Sequence, residues 1–386
     1  MHIDTNGVDC KYFNGYKPCF PGEDCSGGCR RENPIGTRVL IVNLDAMGDV
    51  VMTTAQLPAI KREWPVSQVF WITRGNAVRL LDDNPLIDRV FTWDDVSRLI
   101  LQQQHFDVVL NADKSLDACA FAASLQADDV RGFTISRRGQ IVPANAEAQY
   151  NFRMGLDDQL KFRENTRTGQ DILAESWKLP YEGEEYILTL SGEEQQFCAE
   201  RRAEWKLDGR VAVGFNTGCS VLFPNKKMTV AQHVALIRRL ADDERLVFLL
   251  LGGPEDTARN AEIAAQLTEL QSSGRLVATP TEEGLRRGIC YENLADVVVT
   301  GDSFGMHLAI ALRKHVLAWF GLSCWEEIDL YGRGRKFIPE GLHCAPCWKR
   351  RCPHDLECID MIDLDGIDAA VRAFADSRTT EQETRA

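Results

Sequence analysis

A carboxylate follows the first apolar run of the sequence, after a short turn. Residues 39–42 are all β-branched or aliphatic, a pattern that predicts a strand buried on both faces of a parallel sheet. Gly48 and Asp49 come in the turn after it, at the sheet edge where open α/β folds bind ligands. Asp49 is therefore a candidate for acid–base chemistry. An aspartate here can also cap a helix by accepting hydrogen bonds from free N–H groups, and these residues alone favour neither interpretation.

A second set of residues suits an anionic ligand such as phosphate. The predicted strand 297–300 leads into residues 301–307, GDSFGMH, where small residues precede a helix whose N–H groups and positive dipole end favour an anion. Lys226 and Lys227 lie in a loop after another predicted strand, which ends just before Thr217. Their position at the ligand edge favours contact with an anion, but a pair of lysines is usually only surface charge. Neither G-x-G-x-x-G after the first strand nor G-x-x-x-x-G-K-[ST] is present. These features predict an enzyme that binds a phosphorylated nucleotide without either fingerprint.

Eight of the thirteen cysteines fall in two short clusters. The first cluster is Cys10, Cys19, Cys25 and Cys29, and the second is Cys344, Cys347, Cys352 and Cys358. Each supplies the four thiols of a tetrahedral structural zinc or iron site, and the C-x-x-C spacing of the second makes it the better metal candidate. Free thiols packed in loops, or one site built jointly by both clusters, are the alternatives. The scattered cysteines are typical of small buried hydrophobes: Cys119, Cys198, Cys219, Cys290 and Cys324.

Composition excludes several classes of protein. The 386 residues suffice for two ordinary domains, and 44% apolar with 26% charged residues is usual for a globular chain. A formal charge of -13 opposes binding to nucleic acid, which needs a basic face, so we expect no nucleic-acid partner. No window approaches the ~20 apolar residues of a membrane span, and the first residues lack the pattern of a secretory signal. We therefore expect a cytoplasmic protein.

Strand and helix alternate in the first half of the chain. Strands are predicted at residues 39–42, 69–72, 90–93, 106–110 and 129–133. This spacing predicts parallel βαβ units with right-handed crossovers, and we place a Rossmann-like domain at residues 36–190 after a cysteine-rich segment at 1–35. The basic stretch 161–169, KFRENTRTG, is either a solvated face or, in a cleft, a contact for an anionic substrate.

The alternation restarts after a predicted helix at residues 192–205. Further strands are predicted at residues 211–215, 246–251, 297–300 and 316–320. They place a second Rossmann-like domain at residues 191–343, followed by a cysteine-containing segment and C-terminal helix or tail at 344–386. The predicted fold is α/β, with two doubly wound domains facing a cleft between the carboxyl edges of their sheets.

Three motifs, by their order and spacing, resemble one family of glycosyltransferases. They are VLIVNLDAMGDVVMTTAQLPAIKREWP, NTGCSVLFPNKKMTVAQH and VVVTGDSFGMHLAIALRKHVLAWFG, and CAPCWKRRCPHDLEC is similar to the cysteine-containing tail of many members. The resemblance is to glycosyltransferase family 9, the bacterial ADP-heptose:lipopolysaccharide heptosyltransferases, and runs from about Thr37 to Ile362. It implies a GT-B fold whose first domain holds the acceptor and whose second holds the nucleotide sugar.

The resemblance also implies roles for single residues. Asp49 matches the catalytic base of the family's M-G-D turn, with Gly48 before it, which favours chemistry over capping. Lys226 matches the lysine that meets the diphosphate of the donor, and Thr217 lies near a matching phosphate-binding threonine.

The donor loop of the family is usually written D-T-G-x-x-H. The positions that align with it or begin its helix are Asp302, Ser303, Gly305, Met306 and His307. Ser303 replaces the threonine and Phe304 replaces the glycine, which bears on donor specificity more than on fold. Asp45 stands where many members have a small hydroxyl residue, so the acceptor is left open.

The implied reaction is an inverting transfer of heptose from ADP-heptose to an inner-core lipopolysaccharide acceptor. Asp49 would accept the proton of the attacking hydroxyl, and Lys226 would stabilise the departing diphosphate. No catalytic divalent metal is implied, so zinc or iron on the cysteines would be structural. Such an enzyme acts at the inner face of the inner membrane, with peripheral membrane contact. The alternatives are a related transferase with another nucleotide sugar or a protein acceptor, and a nucleotide-sugar-binding protein without catalysis.

Overall fold

A computed structural model describes residues 8–13, 15–26, 29–44, 46–219, 223–355 and 357–385, with side chains at all of these except 224 and 379–385. Asp45, singled out in the sequence, lies outside the described residues. The chain packs as two units. The first contains the described residues among 1–45, 53–156 and 170–184, and the second contains those among 46–52, 157–169 and 185–386.

The described part of the first unit is built on one six-stranded sheet. Its strands are β1 (Thr37–Val42), β2 (Ser67–Thr73), β3 (Arg89–Thr92), β4 (His105–Asn111), β5 (Gln126–Ile135) and β6 (Ile141–Pro143). They lie in the order β3-β2-β1-β4-β5-β6, and all are parallel except β6, which runs antiparallel to β5. The strand order reverses between β1 and β4, which is the point where doubly wound sheets bind ligands.

The described part of the second unit carries another six-stranded sheet. Its strands are β7 (Val211–Asn216), β8 (Leu246–Leu251), β9 (Leu276–Ala278), β10 (Val297–Gly301), β11 (His315–Trp319) and β12 (Gly334–Phe337). The order is β12-β11-β10-β7-β8-β9 and every pairing is parallel. The reversal lies between β10 and β7, so the loops after these two strands are the ligand edge of this unit.

Helices accompany both sheets. In chain order they are α1 (Met47–Thr53), α2 (Leu57–Glu63), α3 (Gly75–Val78), α4 (Asp95–Gln102), α5 (Leu116–Ser124), α6 (Gln149–Met154), α7 (Gly169–Trp177), α8 (Gly192–Glu204), α9 (Val230–Leu240), α10 (Thr257–Ala265), α11 (Thr268–Ser272), α12 (Leu285–Asn293), α13 (Phe304–Ala311), α14 (Glu357–Asp360) and α15 (Leu364–Arg385). Capping boxes begin α8 at Ser191 and α9 at Thr229, each with a side chain that accepts a hydrogen bond from a free N–H. No helix among the described residues is long and apolar enough to cross a membrane.

Apolar burial explains the central strands. Residues 39–42 of β1 are fully buried, as expected for a strand covered on both faces. In the second unit, Phe215 of β7 and Phe248 of β8 share a core with Ile367 and Val371 of α15. The C-terminal helix is therefore an integral layer of the second unit. Burying these apolar side chains contributes about 1.5–3 kcal/mol each.

The structure confirms two parallel-sheet α/β domains, and each of the nine predicted runs overlaps a strand; 90–93 and 316–320 extend one residue beyond β3 and β11. The sequence does not predict β6, β9 and β12, which have three or four residues. All three are edge strands in their sheets. An edge strand pairs on one side only and can be very short, so it carries no long apolar run by which to recognise it.

Candidate functional site

The turn that carries Asp49 begins α1. Ala46 has a φ of 47°, so the chain turns sharply between β1 and the helix. Asp49 is the third residue of α1 and its side chain is exposed. Ala46, not Asp49, directly precedes the helix, so a carboxylate at Asp49 gains from the helix dipole without being the capping residue. Residues 46–52 pack with the second unit.

Gly48 lies against the imidazole of His307. A Cβ atom at Gly48 would be 2.6 Å from His307 Cδ2, closer than real Cβ contacts allow, so this position requires glycine. The His307 ring also stacks on Tyr186, with centroids 6.0 Å apart and planes at 21°. The predicted catalytic turn and the predicted donor loop therefore meet at this contact.

His307 is neutral near neutral pH. Burial lowers its pKa to about 4, and this effect outweighs the attraction of the Asp302 carboxylate. A neutral imidazole has one N–H donor and one acceptor nitrogen. His307 Nδ1 is buried and has no hydrogen-bond partner among the described residues. The ring thus carries no charge and keeps one buried nitrogen without a hydrogen bond in the described part of the chain.

Lys226 and Asp302 form an ion pair at the ligand edge. Lys226 Nζ lies 2.7 Å from Asp302 Oδ2, and each side chain is only 13% exposed. Burial acts to raise the pKa of Asp302, but the positive charge of Lys226 and the hydrogen bonds from Lys226 and Ser323 outweigh it, and the pKa is lowered. Asp302 is therefore ionised, and it holds the ammonium group beside the start of α13.

Small residues bring backbone groups close together around α13. A Cβ atom at Gly301 would lie 2.4 Å from the Lys226 carbonyl oxygen, and one at Gly305 would lie 2.4 Å from Asn216 Cγ. Ser303 precedes the helix without a side-chain cap, and the Met306 side chain is fully buried. Gly305 and Met306 can therefore meet an anion only through their N–H groups at the helix start.

The hydroxyl group of Thr217 is buried and already hydrogen-bonded within the protein, whereas a phosphate ligand would need it to be accessible. The residue is fully buried, and its Oγ1 donates to the side-chain oxygen of Asn260. Its carbonyl oxygen accepts from Arg259 Nε at 2.8 Å. The hydroxyl thus joins β7 to α10, and a role for Thr217 in donor binding stays a prediction.

A buried carboxyl lies behind the donor loop, where the sequence indicates none. Glu292 of α12 is 3% exposed and accepts from Asn216 Nδ2 at 2.9 Å. Asn216 packs against Gly305, so Asn216 and Glu292 together support the start of α13. Burial raises the pKa of Glu292 to about 8, which makes it protonated near neutral pH. The sequence does not predict α12, and only the position of Asn216 at the end of a strand could have drawn attention to this pair.

Substituting Glu292 should change how stability depends on pH. The pKa of Glu292 is about 8 in the folded protein and about 4.5 in the unfolded chain. Between these two pH values the unfolded chain loses a proton that the native state keeps. The free energy of unfolding therefore falls as the pH rises from 4.5 to 8. Glu292→Gln keeps an acceptor for Asn216 and removes this loss. We expect its free energy of unfolding to exceed that of the parent by about 2–5 kcal/mol at pH 8 and to match it near pH 4.

Denaturant titrations at the two pH values test this expectation. The matched control is Glu282→Gln, which changes an exposed carboxyl just before α12 and should follow the parent at both pH values. If the difference in free energy of unfolding between Glu292→Gln and the parent is the same at pH 4 and pH 8, Glu292 is already ionised in the native state.

The C-terminal cysteines surround one small cavity. Cys344, Cys347, Cys352 and Cys358 line it together with Asn225, and its volume is about 20 Å³. Burial, followed by the negative charge of the other three thiolates, raises the pKa of Cys358 to about 11. No three His, Cys, Asp or Glu side chains in the described part of the chain are arranged to hold a metal ion. The structure thus brings the four thiols together without showing a coordination geometry.

The N-terminal cysteines are less convergent. Burial and the charges of Cys19 and Cys10 raise the pKa of Cys25, which places these three near one another. Cys29 Sγ donates to Glu23 Oε2 at 3.3 Å, and the charge of Cys25 is also among the influences on its pKa.

The basic stretch 161–169 is used within the protein. Arg163 donates to the carbonyl oxygens of His343 and Ala345, both at 2.7 Å. Lys161 Nζ lies 3.9 Å from Glu327 Oε1. These two side chains thus hold residues 343–345 and the loop of Glu327.

Two Rossmann-like parallel-sheet domains, each with a ligand edge where its strand order reverses, form the architecture of the GT-B class. The chain belongs to glycosyltransferase family 9 (heptosyltransferase), whose model matches residues 98–357, two thirds of the sequence. The match includes Lys226 and the donor loop and begins after Asp49. No protein with a curated function matches the chain by sequence.

Solved structures share this fold. A family 9 glycosyltransferase from Veillonella parvula is 17% identical, with 88% of this chain and 98% of that chain covered and a TM-score of 0.66. The ADP-heptose lipopolysaccharide heptosyltransferase II of E. coli is 16% identical, with 89% and 100% covered and a TM-score of 0.64. The dodecameric iron-containing heptosyltransferase TibC of enterotoxigenic E. coli, solved with ADP-D-β-D-heptose, is 11% identical, with 89% and 79% covered and a TM-score of 0.51. At these identities the likeness is one of fold.

Proposed function

We propose that this protein is an inverting heptosyltransferase that moves a heptose from ADP-heptose to an inner-core lipopolysaccharide acceptor. The observation that carries the proposal is the packing of Gly48 against His307, which sets the turn of Asp49 beside the loop of Asp302. Membership of family 9 supports glycosyl transfer. The ADP-heptose bound to TibC, a protein of the same fold, supports this choice of donor.

Asp49 is the proposed base. Its exposed carboxylate accepts the proton of the acceptor hydroxyl while that oxygen forms a bond to the anomeric carbon. The bond from the anomeric carbon to the β-phosphate oxygen breaks in the same displacement, and ADP leaves with the bonding electron pair. A single displacement inverts the anomeric centre.

The donor side of the site stabilises the charge that develops on ADP. Lys226 supplies a positive charge held by Asp302, and the N–H groups of Gly305 and Met306 point from the start of α13. Neutral His307 adds no charge beside the diphosphate and can form a hydrogen bond to it. The acceptor is lipid-linked, so the proposal places the reaction at the inner face of the inner membrane.

The second cysteine cluster is the proposed holder of a structural metal. Four thiols that line one cavity are a donor set that suits zinc or iron, and a cation would stabilise their thiolate forms. TibC, which shares the fold, is an iron-containing protein. The metal would fix the segment that follows the second sheet, and no step of the transfer is assigned to it. The first cluster is a second candidate site.

Metal content and stability should fall together when a ligand is removed. Elemental analysis of freshly purified protein should find about one metal per chain, or about two if Cys10, Cys19, Cys25 and Cys29 also bind. Cys347→Ser should lose the metal of the second cluster and lower the melting temperature by about 5–10 °C. Cys119→Ala, at a buried cysteine outside both clusters, should leave the metal content unchanged. Metal-free protein with eight freely titratable thiols would contradict the assignment.

Turnover tests the proposed function directly. Purified protein with ADP-heptose and a heptose-free inner-core acceptor should release ADP and form a product of inverted anomeric configuration. UDP- and GDP-linked sugars and a peptide acceptor are the comparison arms. Transfer from one of these but not from ADP-heptose would reject the donor or the acceptor and keep the glycosyltransferase.

A further inference from the structure

The cysteine segment contacts the residue that is proposed to meet the donor. Lys226 Nζ lies 4.3 Å from the centroid of the Trp348 ring and 5.3 Å from that of Phe223. The two rings meet edge to face at 5.2 Å and 78°. An ammonium group within about 6 Å of a ring centroid is attracted by the ring, most strongly by tryptophan. Lys226 is thus held by the carboxylate of Asp302 and by two aromatic side chains.

Trp348 is itself held firmly. The N–H groups of Cys347 and Trp348 both donate to the carbonyl oxygen of Leu322 at 2.9 Å. Asn225, the neighbour of Lys226, donates through Nδ2 to the carbonyl oxygen of Lys349 at 3.2 Å. Residues 347–349 of the cysteine-containing segment are therefore hydrogen-bonded to the loops that carry Leu322 and Lys226.

The backbone at Trp348 is strained. Its φ is 50°, a left-handed conformation that bulky side chains rarely adopt. Such a conformation persists only where the surroundings hold it, and it clusters at functional sites. Here the surroundings are the hydrogen bonds to Leu322 and the clamp of Arg163 on His343 and Ala345.

We propose that Trp348 is a positioning residue of the donor site, which makes the cysteine segment part of the machinery that binds the nucleoside diphosphate. Trp348 restricts the ammonium group of Lys226 before the donor arrives, so less conformational freedom is lost on binding. A metal on the four cysteines would act on donor affinity through this residue. The inference rests on the proposed function, because it takes Lys226 as the residue that meets the diphosphate.

The test compares ADP affinity among three variants of the full chain. Trp348→Leu should weaken ADP binding about 3–30-fold by calorimetry, because the ammonium group loses its ring face. The KM for ADP-heptose should rise by a similar factor while kcat changes less. Trp348→Phe keeps a smaller ring face and should lie between the parent and Trp348→Leu. A residue that served only the fold would lower thermal stability without this ranking in ADP affinity.

Trp205→Leu is the matched control. It removes a half-buried indole of the same unit, which stacks on Tyr291 at 5.7 Å and 12°. Its ADP affinity should equal that of the parent. Parental ADP affinity in Trp348→Leu would overturn the inference and leave the proposed function standing.

A measurement on the parent protein tests the inference even if Trp348→Leu does not fold. ADP should slow amide hydrogen exchange in peptides that cover residues 344–352 and should not slow it in those around Trp205. Unchanged exchange in 344–352 at saturating ADP would overturn the inference. If the parent binds UDP instead of ADP, the proposed donor is wrong and the same ranking for UDP decides the role of Trp348. If it binds no nucleoside diphosphate, the proposed function and this inference fall together.

Discussion

Asp49→Asn should slow sugar transfer by about 10²–10⁴-fold, because an amide cannot accept the proton of the acceptor hydroxyl. That loss corresponds to about 3–5 kcal/mol of transition-state stabilisation. The substitution is nearly isosteric at an exposed position, so the melting temperature and the affinity for ADP should stay close to the parental values. Initial rates at saturating ADP-heptose, with calorimetry for ADP, separate the two effects.

Asp95→Asn is the control for the effect of losing a negative charge in the first turn of a helix. Asp95 is an exposed carboxylate in the first turn of α4, as Asp49 is in the first turn of α1. The Asp95 variant should transfer heptose at the parental rate. An Asp49→Asn variant that transfers heptose at nearly the parental rate would return Asp49 to the role of a residue that stabilises a helix start.

Lys226→Ala should lower kcat/KM by about 10²–10³-fold, with both a weaker affinity for ADP and a slower transfer step. The ammonium group lies next to the start of α13, where it would meet the diphosphate in the ground state and the greater charge that develops as ADP leaves. The KM for the acceptor should change much less. Steady-state kinetics with each substrate varied in turn, and calorimetry with ADP, measure these effects.

Lys227→Ala is the matched control, because the next lysine lies near Asp256 and Cys219 rather than Asp302. Its effect on ADP affinity should be small. Lys226→Ala also leaves Asp302 without its partner, so its melting temperature should fall, and Asp302→Asn in the same chain should recover part of that fall. Equal effects of the two lysine variants, or an effect confined to the acceptor, would contradict the assignment of Lys226.

The fold could be predicted from the sequence because its main signal is local. Residues 39–42 and 246–251 are continuous apolar runs, and such runs form strands that are buried on both faces. Val230–Leu240 has an apolar stripe and a capping box at Thr229, and both of these signals of a helix are local.

Part of the candidate site could also be predicted, because its residues follow strands. Asp49 follows β1, Thr217 follows β7, and Asp302 follows β10, and the carboxyl ends of parallel strands meet at one edge of their sheet. The sequence by itself therefore determined which loops carry candidate residues in each sheet. It also determined the two cysteine clusters as sets of four thiols.

Only the tertiary structure decided which of these residues touch. Gly48 lies against His307, Trp348 covers Lys226, and Glu292 is buried behind Asn216, although each pair is far apart in the sequence. Such contacts depend on how helices and loops pack on a sheet, and no local propensity encodes them. The protonation of Glu292 and the neutrality of His307 were decided in the same way, because both follow from burial, which is a property of the packed chain and not of the residue.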